Sequence, residues 1–158
     1  MVAAAAVWLS VLAEFPVWAV FLGWAGYFVL ASGARTGLLA AVQIIAGLIL
    51  GAGLMQINGL LAPTLGVYSL MLLAFAFGSS FVFVEGLAPL NNIPAYYFGV
   101  IAMIASGLRP EPKSVATLAV SISLGLALGW LLVYGRTRIS DLASAYGWFS
   151  GKRSKRPA

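Results

Sequence analysis

Cysteine and histidine are both absent from this chain, and only four carboxylates, Glu14, Glu85, Glu111 and Asp141, occur in its 158 residues. Without cysteine there are no disulfides, thiolate nucleophiles or iron–sulfur ligands. Without histidine the commonest metal ligand and the usual acid–base group near neutral pH are gone. Neither a metal site nor a Ser-His-Asp enzyme can be built from this chain alone. An enzyme is therefore not expected, and neither are catalytic residues, a metal or a cofactor. Charge of either sign is scarce, at 8% of residues. Soluble domains carry several times as much.

In place of charge there is apolar surface. The chain is 62% hydrophobic, with a mean hydropathy of +1.01, more than a water-soluble fold of this size could bury. The composition predicts an all-α integral membrane protein of about six transmembrane helices. The apolar runs place them at roughly Val2–Ala13, Val17–Ala31, Leu38–Met55, Val67–Val84, Pro94–Ala105 and Val115–Tyr134. A straight crossing takes about 20 residues, so the first, second and fifth runs are short. Either Glu14-Phe15-Pro16 lies inside a helical turn and the boundaries are drawn too tight, which is the favoured reading, or these helices are broken or re-entrant. Irregular backbone at membrane depth survives only where protein or water satisfies it.

Several segments interrupt the runs: Ser32-Gly33-Ala34-Arg35-Thr36-Gly37, then Gln56-Ile57-Asn58-Gly59 with Ala62-Pro63-Thr64 closing the third helix, and the link Leu108-Arg109-Pro110-Glu111-Pro112-Lys113. The domain reading is a transmembrane domain over 1–135, with repeats at 1–57 and 66–135, and a cytoplasmic interfacial helix and basic tail over 136–158. In that last segment Ile139, Leu142, Tyr146 and Phe149 recur at helical spacing, with Trp148 nearby.

The formal charge of +5 comes largely from the C-terminus, where Lys152, Arg153, Lys155 and Arg156 cluster. Behind a membrane span such a tail fits the cytoplasmic side and its anionic lipids better than nucleic acid. With six spans, seven cations fall on the tail's side and only Arg109 and Lys113 on the other, which predicts both termini in the cytoplasm. The apolar start has no preceding cation, the first being Arg35, so it reads as a retained helix rather than a cleaved signal.

A pattern also occurs twice. Phe15-Pro16 through Trp24 to Ala31-Ser32-Gly33 is followed, in the second half, by Ile93-Pro94 through Gly99 to Ala105-Ser106-Gly107. Laying Ala31-Ser32-Gly33 on Ala105-Ser106-Gly107 places Gln43 on Thr117, Gly47 on Ser121 and Gly51 on Gly125. An offset of three spans would make the halves two inverted three-helix repeats, as in many transporters and channels.

The residues that could carry function follow from this. Gln43, Gly47 and Gly51 share one helical face, as do Thr117, Ser121, Gly125 and Gly129. Tight helix packing is the usual meaning of small residues at this spacing. The functional alternative makes Gln43, Gly47, Thr117 and Ser121 the lining of a narrow uncharged path. Glu14 and Glu85, near prolines that open short helices, could be buried acids, although both also fit solvated helix ends. The aromatic residues Trp18, Phe21, Trp24, Tyr27 and Phe28, and later Tyr96, Tyr97 and Phe98, fit interfacial belts and packing more readily than a ring-lined constriction.

The stretch Val17-Trp18-Ala19-Val20-Phe21-Leu22-Gly23-Trp24-Ala25-Gly26-Tyr27-Phe28 with its Ser-Gly turn resembles the YcdZ-like bacterial inner-membrane family of unknown function (DUF1097). Ile93-Pro94-Ala95-Tyr96-Tyr97-Phe98-Gly99 and the helix Ser121–Trp130 add to the resemblance, which runs to about Tyr134. It implies a bacterial inner-membrane location and supplies no catalytic residue. The expected function is a channel or facilitator for a small neutral solute. The alternative is a non-transporting accessory or assembly subunit of a membrane complex. Partners are expected to be the bilayer, anionic lipids at the basic tail, and further copies of the chain.

Overall fold

The computed structural model describes residues 2–80, 83, 86 and 88–145. Among them are six α-helices and no strand: α1 (Val2–Leu12), α2 (Val17–Leu30), α3 (Ala34–Leu65), α4 (Val67–Ser80), α5 (Ile93–Ala105) and α6 (Pro112–Ala145). Two of them, α3 and α6 over Pro112–Ser140, are long and apolar enough to cross a bilayer. The others are shorter. Exposed apolar side chains such as Trp8, Val29, Leu60 and Phe75 cover the outside, a surface suited to lipid.

The short helices are separate elements. After Leu12 the chain turns, Phe15 N–H donating to Ser10 O at 2.8 Å and Glu14 taking a φ of 54°. This corrects the expectation that Glu14-Phe15-Pro16 lies within a helical turn. Pro16 lacks an N–H and restricts the residue before it, which with the turn at Glu14 separates α1 from α2. Glu14 sits in the left-handed region that glycine enters freely. Glu14→Gly should raise stability by up to about 1 kcal/mol, read from thermal melts in detergent.

The turn from α2 to α3 is built by Thr36. Its Oγ1 accepts from Ser32 N–H at 2.9 Å and Gly33 N–H at 3.0 Å, satisfying donors at the helix start. Thr36→Val keeps the shape and removes the acceptor, and should cost about 1 kcal/mol in the same melts. Proline opens both α5 and α6, as Pro94 and Pro112, where a missing N–H costs nothing.

Two helices run further than expected. The third passes through Gln56-Ile57-Asn58-Gly59 and Pro63 to Leu65. Gly59 weakens a helix by about 1 kcal/mol without breaking it, and Pro63 forfeits one bond near the end. Gly66, with a φ of 55°, then ends α3, and buried Ser69 at the start of α4 places its Oγ 2.7 Å from Asn58 Oδ1. The sixth continues past Gly135-Arg136-Thr137-Arg138 to Ala145. Arg138 Nε and Nη2 donate to Tyr134 Oη one turn back, at 3.0 and 2.9 Å. Tyr146, Trp148, Phe149 and the basic tail lie outside the described residues.

The helices assemble as two pairs. The α2 helix lies along α6 and α5 lies along α3, with α3 and α6 in contact between the pairs. In α2, Val20 meets Gly125 and Tyr27 meets Gly129, so α2 and α6 run in the same direction. In α5, Tyr96 meets Gly47 and Met103 meets Gly51, so α5 and α3 do too. Gln56 Nε2 donates to Pro110 O at 2.8 Å, tying α3 to the α5–α6 turn. These directions gather Arg35, Arg136 and Arg138 at one end of the bundle, and Arg109 and Lys113 at the other. Ile44, Leu48, Met103, Leu118 and Ile122 fill the middle.

Candidate functional site

At four glycines a neighbouring helix's backbone stands where a Cβ would be. A Cβ on Gly23 would overlap Ile122 O of α6, and one on Gly125 would overlap Val20 O of α2. A Cβ on Gly99 would overlap Ile44 O of α3, and one on Gly47 would overlap Tyr96 O of α5. Backbones this close are what small residues at helix contacts permit.

The two sets of contacts correspond residue by residue. Val20, Gly23, Trp24 and Tyr27 of α2 take the places of Tyr96, Gly99, Val100 and Met103 of α5. Ile44, Gly47 and Gly51 of α3 take those of Ile122, Gly125 and Gly129 of α6. This register is not the one expected from laying Ala31-Ser32-Gly33 on Ala105-Ser106-Gly107. It matches Gly47 with Gly125 and Gln43 with Ser121, where the expected alignment matches Gln43 with Thr117 and Gly47 with Ser121. The difference arises in the turns: α2 and α3 are joined by three residues and α5 and α6 by six.

Both contact centres lie well inside the bundle. Gly125 is thirteen residues beyond Pro112, and Gly47 thirteen beyond Ala34, each about 20 Å along its helix. Because α2 and α5 begin only three residues before Val20 and Tyr96, both short helices start partway along the long helix that carries them.

The four proposed lining residues sit among these contacts. Gln43 and Ser121 are buried, at 1% and 0% exposure, and Gly47 is buried against Tyr96. Thr117 is half-buried and donates to Lys113 O at 3.0 Å. Ser121 donates to Thr117 O at 2.7 Å. Gln43 Nε2 has no hydrogen-bond partner, which is costly in a dry interior. Trp24 Nε1 is likewise buried and unpartnered, a feature that the sequence, where Trp24 reads as one packing aromatic among several, does not signal.

Clefts open elsewhere. One, of about 490 Å³, lies between α2, α3 and α6, and another, of about 390 Å³, between α3, α4 and α5. Neither is lined by Gln43, Gly47, Thr117 or Ser121, so these residues meet neighbouring helices rather than either opening.

Of the two acids, Glu14 is exposed at the α1–α2 turn and not buried. Glu85 lies outside the described residues. Among the aromatics, Tyr27 and Tyr96 are buried, while Trp18, Phe21 and Phe28 are exposed. Tyr96 Oη donates to Leu90 O at 3.1 Å. No group of three His, Cys, Asp or Glu able to hold a metal occurs among the described residues.

Neither the curated proteins nor the solved structures compared with this chain give a match. A family model does, over residues 1–135. The chain belongs to DUF1097, a family of proteins of unknown function.

Proposed function

We propose that this chain is a multi-pass bacterial inner-membrane protein whose six helices form two inverted three-helix units, and that it facilitates passage of a small neutral solute between them. The observation that carries the proposal is the matched pair of glycine contacts, Gly23–Ile122 with Gly125–Val20 and Gly99–Ile44 with Gly47–Tyr96. A two-fold relation between the units turns one set into the other. Three spans per unit would invert the second unit in the membrane, the arrangement of many transporters.

The starting points of α2 and α5, about 15 Å along α6 and α3, support the same reading. Discontinuous helices at a repeat interface are a usual place for a solute site. Gln43 and Ser121, at matched positions and without charge, suit a neutral solute. Their burial makes the packed arrangement a closed state, and passage requires α3 and α6 to separate. The reading puts both termini in the cytoplasm, on the side of Arg35, Arg136 and Arg138. Self-association and anionic lipid at the basic tail belong to the same proposal.

A second reading draws on the same burial. If Gln43, Gly47 and Ser121 serve only helix contact, the chain is a non-transporting accessory or assembly subunit. Solute-driven swelling of proteoliposomes, with a panel of small neutral and ionic solutes, separates the two. Selective neutral-solute permeation supports the facilitator. No permeation above empty liposomes, from protein with native helicity, favours the subunit.

A further inference from the structure

The cleft between α2, α3 and α6 is walled mostly by apolar side chains. Its walls include Tyr27, Gly37, Ala41, Ala127 and Trp130. At about 490 Å³ it falls within the range of small-molecule sites. Ala34 lines the same cleft, and the next residue is Arg35, exposed at the start of α3.

On the opposite wall Trp130 begins a ladder along α6. Its ring stacks on Tyr134 with centroids 5.5 Å apart. The Arg138 guanidinium lies 5.2 Å from the centre of the Tyr134 ring and donates to its hydroxyl. Trp130, Tyr134 and Arg138 are spaced four apart and share one face. The ladder therefore leads from the apolar cleft to a fixed cation. Arg35, at the start of α3, stands at this same end of the bundle.

We propose that this cleft holds an acyl chain of one anionic phospholipid, with the headgroup phosphate between Arg35 and Arg138. An apolar slot suits the tail, and the two arginines at that end of the bundle suit a negative head. Trp130 and Tyr134 lie where tail gives way to headgroup, the depth that amphipathic rings favour. The assignment rests on the membrane reading and is independent of whether solute passes.

The test uses the full-length chain in detergent, offered equal amounts of phosphatidylglycerol and phosphatidylcholine with identical acyl chains, and native mass spectrometry of the lipid retained. One phosphatidylglycerol per chain should be held, with roughly thirtyfold preference over phosphatidylcholine. Arg35→Gln/Arg138→Gln should cut the preference at least tenfold, to what the basic tail alone gives. Ala127→Phe fills the cleft from an exposed wall position and should lose the retained lipid. Leu131→Phe, an exposed position outside the cleft, should keep it.

Equal retention of both lipids by the unaltered chain would overturn the proposal. So would full phosphatidylglycerol retention in Ala127→Phe, which would locate binding at the surface or the basic tail, or loss in Leu131→Phe. Circular dichroism of each variant shows that it is folded. A chain that stays in carbonate-washed membranes yet shows no lipid preference fails this proposal and leaves the membrane reading intact.

Discussion

Gly99→Val should abolish the native bundle or lower its melting temperature by about 10 °C or more. The added Cβ alone would overlap Ile44 O, and it would stand 2.6 Å from Leu48 N and 2.8 Å from Gly47 C. All three are backbone atoms of α3, so no side-chain rotation relieves the conflict. The helices would have to separate, taking apart the packing of Ile44, Leu48 and Met103.

The matched site gives the same expectation for Gly23→Val against Ile122 and for Gly125→Val against Val20 and Trp24. Gly53 on α3 is the control, because a Cβ there meets nothing within 4 Å. Gly53→Val should melt at or above the parent temperature, since valine exceeds glycine in helix propensity. Circular dichroism melts in one detergent compare all four. A Gly99→Val protein as stable as Gly53→Val would refute the packing described.

Gln43→Leu should move two readouts in opposite directions. Replacing a 1% exposed amide whose Nε2 has no partner removes an unsatisfied buried donor, and stability should rise by about 1 kcal/mol. Swelling of proteoliposomes should fall to the level of empty vesicles, because the proposed path would lose a polar group that a neutral solute would use. Ser121→Ala is the comparison. Its hydroxyl is spent on Thr117 O one turn back, so it should alter stability little and permeation less than Gln43→Leu. If Gln43→Leu is stabilised and permeation is unchanged, Gln43 is a packing residue and the facilitator reading fails at this site.

The apolar, all-helical class and the segment order are legible in composition and apolar runs, because a surface that faces lipid needs no polar residues. Helix ends are less so. Pro63 and Gly59 are usual breakers, yet α3 accommodates both near its end. Gly135 and two arginines suggest an exit from the membrane, while the Tyr134–Arg138 pair spans a continuous α6. At Pro16 the break is real, and backbone hydrogen bonding decides it where composition does not.

The candidate site is legible as a face of small residues and illegible as a register. Ala31-Ser32-Gly33 and Ala105-Ser106-Gly107 align the two turns, because turns are where Ser and Gly recur. The helix contacts follow a different alignment, since the linkers differ in length and packing is set by Gly23, Gly47, Gly99 and Gly125. Gly23 and Gly99 sit in aromatic-rich segments, where the rings are the more conspicuous signal. Glycines at matched depth in the two short helices are the pattern that marks the contacts.

The central claim is that the two units are inverted, and the absence of native cysteine allows a direct test. Single cysteines replace Ser32 in the α2–α3 turn and Leu108 in the α5–α6 turn, both exposed. Each variant is labelled with a membrane-impermeant maleimide in right-side-out and in inside-out vesicles. Ser32→Cys should label only from the cytoplasmic face and Leu108→Cys only from the opposite face. Labelling of both from the same face would contradict the inverted arrangement.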